Sequence, residues 1–331
     1  MMVFFVFQEV SHGQTGKNLI MSAMSANMVL AMLSLGAKGK TLDEINDGLH
    51  LPNSAFVSIP GSLFEGEPVI DKMNAYQYVT MNLANKVYVK EGENFGLSPV
   101  YKAYATILFS SEVENIDFNQ NVAAAAEINA WVEEKTNKTV KDIVKASDFD
   151  SGTAVVLVNT IYVKVASIIF VNNHFVISFN PQMLELKFEG NEMSMVFILP
   201  NKVDGLAALE EKLTEDNGKL KAMFDSLQTK FVTMHLPKFE IETTIDLKAN
   251  LSKLGMSTMF SGNAELGGLL VNSSPLNVGS VIQKAYIYVN EEGVTAGAAT
   301  GKSNKRAMVL TYMMQDNSNT LTFIFLTASR L

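Results

Sequence analysis

The stretch Ala154–Val163 (AVVLVNTIYV) constrains this chain more than any other. It is almost continuously apolar and β-branched. A strand with one wet face alternates apolar and polar residues, whereas an unbroken run needs cover on both faces. The run therefore predicts a strand in the middle of a large sheet, with further layers on each side. Such a core needs apolar mass, and 47% hydrophobic against 18% charged residues over 331 positions supplies it. By length alone the chain admits two domains or one large mixed unit.

The other elements are read around that strand. Residues 19–35 place Met21, Met24, Met28, Val29, Met32 and Leu33 at helical spacing, with Gly36 and Gly39 ending the helix. Thr41 is expected to cap the next helix, with Glu44 closing a capping box. Helices are predicted over 74–80, 98–108, Ala123–Lys135 and Leu206–Lys212. Strands are predicted over Leu83–Val89, Phe231–Leu236, Phe239–Thr243 and Ser280–Val289. Two hairpins are predicted, one within Met183–Leu199 around Gly190-Asn191 and one pairing Thr311–Gln315 with Thr320–Leu326. Helices prevail early and strands late, with no repeat and no linker, so one α+β unit spanning 1–331 is expected.

Composition excludes several functions. Lys+Arg 26 against Asp+Glu 34 leaves a net charge of −8, which disfavours a phosphate-binding face and hence nucleic acid as a partner. With no cysteine there is no disulfide scaffold, thiol nucleophile or thiolate metal site. No apolar run of about 18 residues marks a membrane span. Met1–Phe7 resembles a signal core but lacks a basic flank, so it reads as the buried stripe of a first helix, a secretion signal having already been removed or a few residues missing. No G-x-S-x-G, H-E-x-x-H or phosphate-loop motif occurs, and His12, His50, His174 and His235 lack ligand spacing. The chain is not expected to be an enzyme or to carry a metal or cofactor.

One segment breaks the pattern. Glu291, Glu292, Gly293, Val294, Thr295, Ala296, Gly297, Ala298, Ala299, Thr300 and Gly301 contain almost no large side chain, and Lys302–Ala307 is basic. Small residues suit an exposed loop, and they also enter a crowded sheet without overpacking it. From Gly293 to Arg306 an extended chain spans about 43 Å at about 3.3 Å per residue, enough for a full strand.

Ordered matches then identify a family. Asn18–Ser25, Leu35–Thr41, Ile128–Thr136, Leu157–Tyr162, Leu236–Phe239, Leu251–Met256 and Lys284–Gly293 resemble, in the right order, the serpins, which trap proteases by loop insertion. The resemblance implies helices packed on a large mixed central sheet, smaller sheets, and an exposed reactive-centre loop over 291–307. It implies a suicide substrate: the loop is cleaved, its hinge side (Glu291–Thr300) enters the large sheet as a strand, and the protease is held as an acyl-enzyme. The bait lies at Lys305, Arg306 and Ala307. Counting from Glu291 puts Ala307 before the cut. A slip of one residue puts Arg306 there, which suits trypsin-like serine proteases and is favoured, with papain-like cysteine proteases as a further target class. By the same resemblance Ser22, Ser25 and Asn159 gate the opening of the sheet. The family usually places a His where this chain has Gln283, whose amide still donates and accepts but does not titrate.

The chain departs from the family after Val163, where Val163–Ser167 lacks the expected Gly and Trp and the next section is short. It departs again after Arg306, where the leaving side is short and the C-terminal His-Pro-Phe is missing. The short loop keeps open an alternative, a non-inhibitory serpin acting as a carrier. The implied partner is a target protease, met by a monomer. Asn137-Lys138-Thr139, Asn250-Leu251-Ser252 and Asn272-Ser273-Ser274 are glycosylation acceptors that favour secretion over the cytoplasm.

Overall fold

A computed structural model of the chain describes residues 6, 9–10, 18–49, 71, 75, 80–165, 175–179, 182–187, 193–202, 205–215, 222–230, 238–289, 312–315 and 321–326. The apolar run becomes strand β3 (Val155–Val165), the middle strand of a five-stranded sheet. β1 (Thr80–Lys90) lies antiparallel on one side of it and β9 (Val278–Val289) lies parallel on the other. β2 (Glu112–Ile116) and β8 (Phe239–Asp246) form the edges. The expected strands over 83–89, 239–243 and 280–289 are all present and run longer at one or both ends. β2 was not expected: its short EVENI sequence is half exposed, and an edge strand carries little apolar signal.

Alternate residues of β3 serve two cores. Val155, Leu157, Ile161 and Val163 join an aliphatic, methionine-rich core with helix α1 (Ala23–Ser34). Val156, Val158 and Tyr162 join an aromatic core beneath helix α4 (Asn121–Lys135). Both faces are dry, which is why the run is continuous rather than alternating. On α4 the packed face is Ala124, Ala125, Ile128, Trp131 and Val132. Small alanines let the helix lie close to the sheet at its start, and the indole fills the space at its end.

The helix expected over 19–35 begins later, because Ser22 is extended and its hydroxyl caps α1 by accepting from the Ser25 N–H at 3.2 Å. The capping box at Thr41 is corrected. Helix α2 (Gly39–Leu49) starts two residues earlier, at a glycine with φ of 47°. Thr41 instead accepts from the Glu265 N–H, and Glu44 accepts from the Thr258 N–H and hydroxyl at 2.8 and 2.6 Å. Burial pulls the Glu44 carboxyl up, but those donors and Lys40 hold it below its ordinary value. A tertiary partner has displaced the local cap. The helix expected over 74–80 is corrected at its end, since Thr80 opens β1, and most of the rest lies outside the described residues.

Helix α3 (Pro99–Phe109) bears out the helix expected over 98–108; Ser98 caps it, and it ends in a left-handed residue, Ser110. A second sheet has the order β10-β11-β6-β5-β4-β7. Its strands are β4 (Phe175–Phe179), β5 (Gln182–Lys187), β6 (Met193–Leu199), β7 (Gln228–Lys230), β10 (Tyr312–Gln315) and β11 (Leu321–Leu326). Both expected hairpins are antiparallel pairs here. β4 was not expected, and it fills part of the section that departs from the family pattern. Helix α5 (Leu206–Glu215) matches its expected start. The strand expected over 231–236 lies outside the described residues; of the stripe expected over Met1–Phe7, the described Val6 is helical and buried, and Val10 further along is buried too. Among the described residues no helix is long and apolar enough to cross a membrane.

Candidate functional site at the β3–β9 seam

β3 and β9 pair directly from Val155–Val278 to Val165–Val289. The chain therefore leaves β9 at the same end at which β3 finishes. A strand folding back from that end would run antiparallel to both neighbours and could hydrogen-bond to each. The seam between these two parallel strands is paired along its length, and a strand returning from its Val165–Val289 end would match both neighbours without a crossover.

On the α1 face the seam is closed by neutral polar groups. Asn85, Asn159 and Gln283 are aligned partners on β1, β3 and β9 and form one buried row across the sheet. The Gln283 Nε2 donates to Asn159 Oδ1 at 2.7 Å and to the Ser22 carbonyl at 2.8 Å, while its Oε1 accepts from the Ser22 N–H at 2.9 Å. An extended residue turns its N–H and C=O to the same side, so one carboxamide satisfies both groups of Ser22. The Asn159 Nδ2 donates in turn to Ser25 Oγ and to Asn85 Oδ1. Ser22, Ser25, Asn159 and Gln283, named from sequence, are thus brought together. Asn85 was missed, although its place between the inward Leu83 and Val87 of a strand marks it as a polar group on a buried face.

On the α4 face the seam is aromatic and charged. Tyr162 and Tyr286, also aligned partners, stack with ring centroids 5.3 Å apart and planes 9° apart. The Tyr286 hydroxyl donates to Glu240 Oε1 at 2.9 Å, and burial, then that bond, push its phenol above the ordinary range. The buried Lys284 ammonium binds Glu242 and the Lys141 carbonyl in the segment after α4. Further along the face, buried Lys86 pairs with Glu112 and Glu114 at 3.3 and 2.6 Å and lies over the Tyr88 and Trp131 rings. The Trp131 indole N–H and the Lys135 ammonium donate to the same Glu112. Burial raises the Glu112 carboxyl, but Lys135, Trp131 and Lys86 together hold it below its ordinary value. Of these residues Trp131 was expected on the packed face of its helix, whereas the strand residues were not singled out for this role, because charged and aromatic residues on a strand read as a wet face until a helix is known to cover them.

The hinge residues Glu291–Thr300 and the bait residues Lys305, Arg306 and Ala307 lie outside the described residues. Among the described residues no group of three or more His, Asp or Glu side chains could hold a metal ion.

A mixed central sheet sandwiched between helices, with a parallel seam opening onto a small-residue segment, defines a protein of the serpin class. The profile of the family described as "Serpin (serine protease inhibitor)" matches residues 2–166 and 171–326. The chain belongs to the serpin family. It is 35% identical over 338 residues to Alaserpin of Manduca sexta, covering 93% of this chain and 84% of that one. It is 33% identical over 323 residues to Antichymotrypsin-2 of Bombyx mori, covering 89% and 84%. Among solved structures it resembles Serpin48 of the insect Tenebrio molitor with a TM-score of 0.77 and 28% identity, covering 97% of this chain and 89% of that one. The residues between the two matched segments, 167–170, fall where the sequence departs from the family pattern.

Proposed function

We propose that this chain inhibits proteases as a suicide substrate. The segment after β9 is offered as bait, with Arg306 favoured as the residue before the cut and Lys305 and Ala307 beside it. The protease nucleophile attacks the carbonyl of that residue, the peptide bond breaks, and the hinge side remains joined to the enzyme as an acyl ester or thioester. Freed from its far anchor, Glu291–Thr300 enters between β3 and β9 and carries the enzyme across the molecule.

The observation that carries this reading is the parallel β3–β9 pair, whose shared end opens onto a segment of small residues. An inserted strand runs antiparallel to both partners, and its small side chains fit between two cores that are already full. The Ser22–Ser25–Asn159–Gln283 cluster acts as the gate, because a strand entering from the Val165–Val289 end must part the Asn159–Gln283 bond to pass that level. One relative is named for chymotrypsin, so the target follows from the bait rather than from the family. Arg306 supports a trypsin-like serine protease, and a papain-like cysteine protease is the second target class. The inhibitor works as one domain and as a monomer. Secretion fits the exposed acceptor sites Asn137 and Asn272, whereas Asn250 sits half-buried in helix α6 (Lys248–Lys253).

The test is incubation of the whole chain with trypsin and with papain. An SDS-stable complex with trypsin, or lasting inhibition of either enzyme, together with a large rise in melting temperature after loop cleavage, is the expected result. Simple cleavage with full protease activity and no thermal gain removes the trap and returns the non-inhibitory carrier reading.

A further inference from the structure

We propose that the stacked pair Tyr162–Tyr286, anchored by Glu240, is a latch across the seam that sets how fast a strand can enter between β3 and β9. The inference rests on the insertion reading above and names a control on it that neither the family match nor the α1-face gate supplies.

Tyr162 and Tyr286 sit on adjacent strands at the same level of the sheet, beneath α4 and the segment after it. Their rings lie flat on one another, and both residues are only 7% exposed. The hydroxyl bond to Glu240 on β8 fixes the Tyr286 ring toward β9 and its outer neighbour. Neighbouring strands stand about 4.8 Å apart, so a strand placed between β3 and β9 moves the two residues to roughly twice that spacing. Aromatic pairs interact with centroids about 4.5–7 Å apart, so insertion must break this stack outright. The α1-face amides can find new partners on an inserted backbone, whereas a stacked ring pair has no substitute between two small side chains. The latch is therefore lost in the transition state for entry and is not recovered in full afterwards. Removing it is expected to speed entry by about two- to ten-fold, the range for such pairs.

The experiment adds a synthetic peptide with the sequence of residues 291–302 to the intact chain and follows its incorporation on native gels and by near-ultraviolet circular dichroism. Tyr162→Val and Tyr286→Val are each expected to take up peptide about two- to ten-fold faster than the wild type. Tyr162→Phe, which keeps the ring, should match the wild type, and Tyr286→Phe, which keeps the ring but removes the Glu240 bond, should be intermediate. The Tyr162→Val/Tyr286→Val double variant should be little faster than either single, since one interaction cannot be lost twice. If the wild type takes up peptide and the single variants do so no faster, the latch is refuted while insertion stands. If the double variant multiplies the two single effects, each ring acts by its own packing and the latch is likewise refuted. If the wild type takes up no peptide and nicking its loop yields no thermal gain, the insertion reading falls and the latch with it.

Discussion

The two faces of the central sheet close the same seam with different chemistry. On the α1 face, hydroxyls and carboxamides form a neutral chain in which the Gln283 and Asn159 amides each donate to two acceptors. On the α4 face, stacked tyrosines stand beside lysines paired with half-exposed carboxylates and a tryptophan. A neutral buried network is strict in geometry and indifferent to pH, because removing one member strands the others. A charged and aromatic face tolerates sliding but answers to acid and salt. A seam that must hold until the loop is cut, and then part along its length, is well served by a strict contact on one side and a forgiving one on the other.

The largest effect should come from breaking the strict side. Asn159→Ala leaves Ser25, Asn85 and half of the Gln283 amide without their partner in a dry layer, and is expected to cost about 2–3 kcal/mol in urea unfolding. If instead the variant matches the wild type, the α1-face row is not what holds the seam.

The forgiving side should yield less. Trp131→Phe keeps most of the packing but loses the indole bond to Glu112, with an expected loss of about 1–2 kcal/mol. Trp131 is the single tryptophan, so its fluorescence in the wild type reports on this face alone. The folded Glu112 carboxyl lies below its ordinary value of 4.5, so its contribution is fully present above that pH and is lost as the pH falls through the lower folded value. Acidification below about 4.5 should therefore weaken the grip on Trp131 and red-shift its emission, and the shift should grow with salt.

The smallest effect sharpens the contrast by importing titration into the neutral side. The two nitrogens of an imidazole point apart and cannot meet both the N–H and the C=O of Ser22, so Gln283→His should cost about 1 kcal/mol even at pH 8. Burial lowers the folded pKa of such a histidine, so stability would be retained above its ordinary value of about 6.5 and fall as the pH drops below it. The wild type should show no step in that window arising from this row, and a matching step in both proteins would refute the assignment.

The legible part of the molecule was its local pattern. The run at 154–163 indicated a strand covered on both faces, the alanines and Trp131 of α4 a packed helix, and residues 98–108 a further helix, and each holds in the structure. The four polar residues at the gate were legible only through likeness to a family, since a lone serine or asparagine carries no sign of its partner. Errors fell where a distant contact overrode a near one. Thr41 and Glu44 look like a capping box until Glu265 and Thr258 claim them. β2 was hidden because an edge strand needs no apolar alternation to keep its place.

By itself, then, the sequence determined which segments extend, which coil, and that a tract of small residues follows a strand. Those properties depend on side-chain periodicity over a few neighbours. Tertiary structure alone decided that Asn85, Asn159 and Gln283, separated by 74 and 124 positions, form one row, and that Tyr162 lies on Tyr286. Register between strands is set by the packing of whole faces against α1 and α4, and a shift of one residue would send every one of these groups to the opposite side.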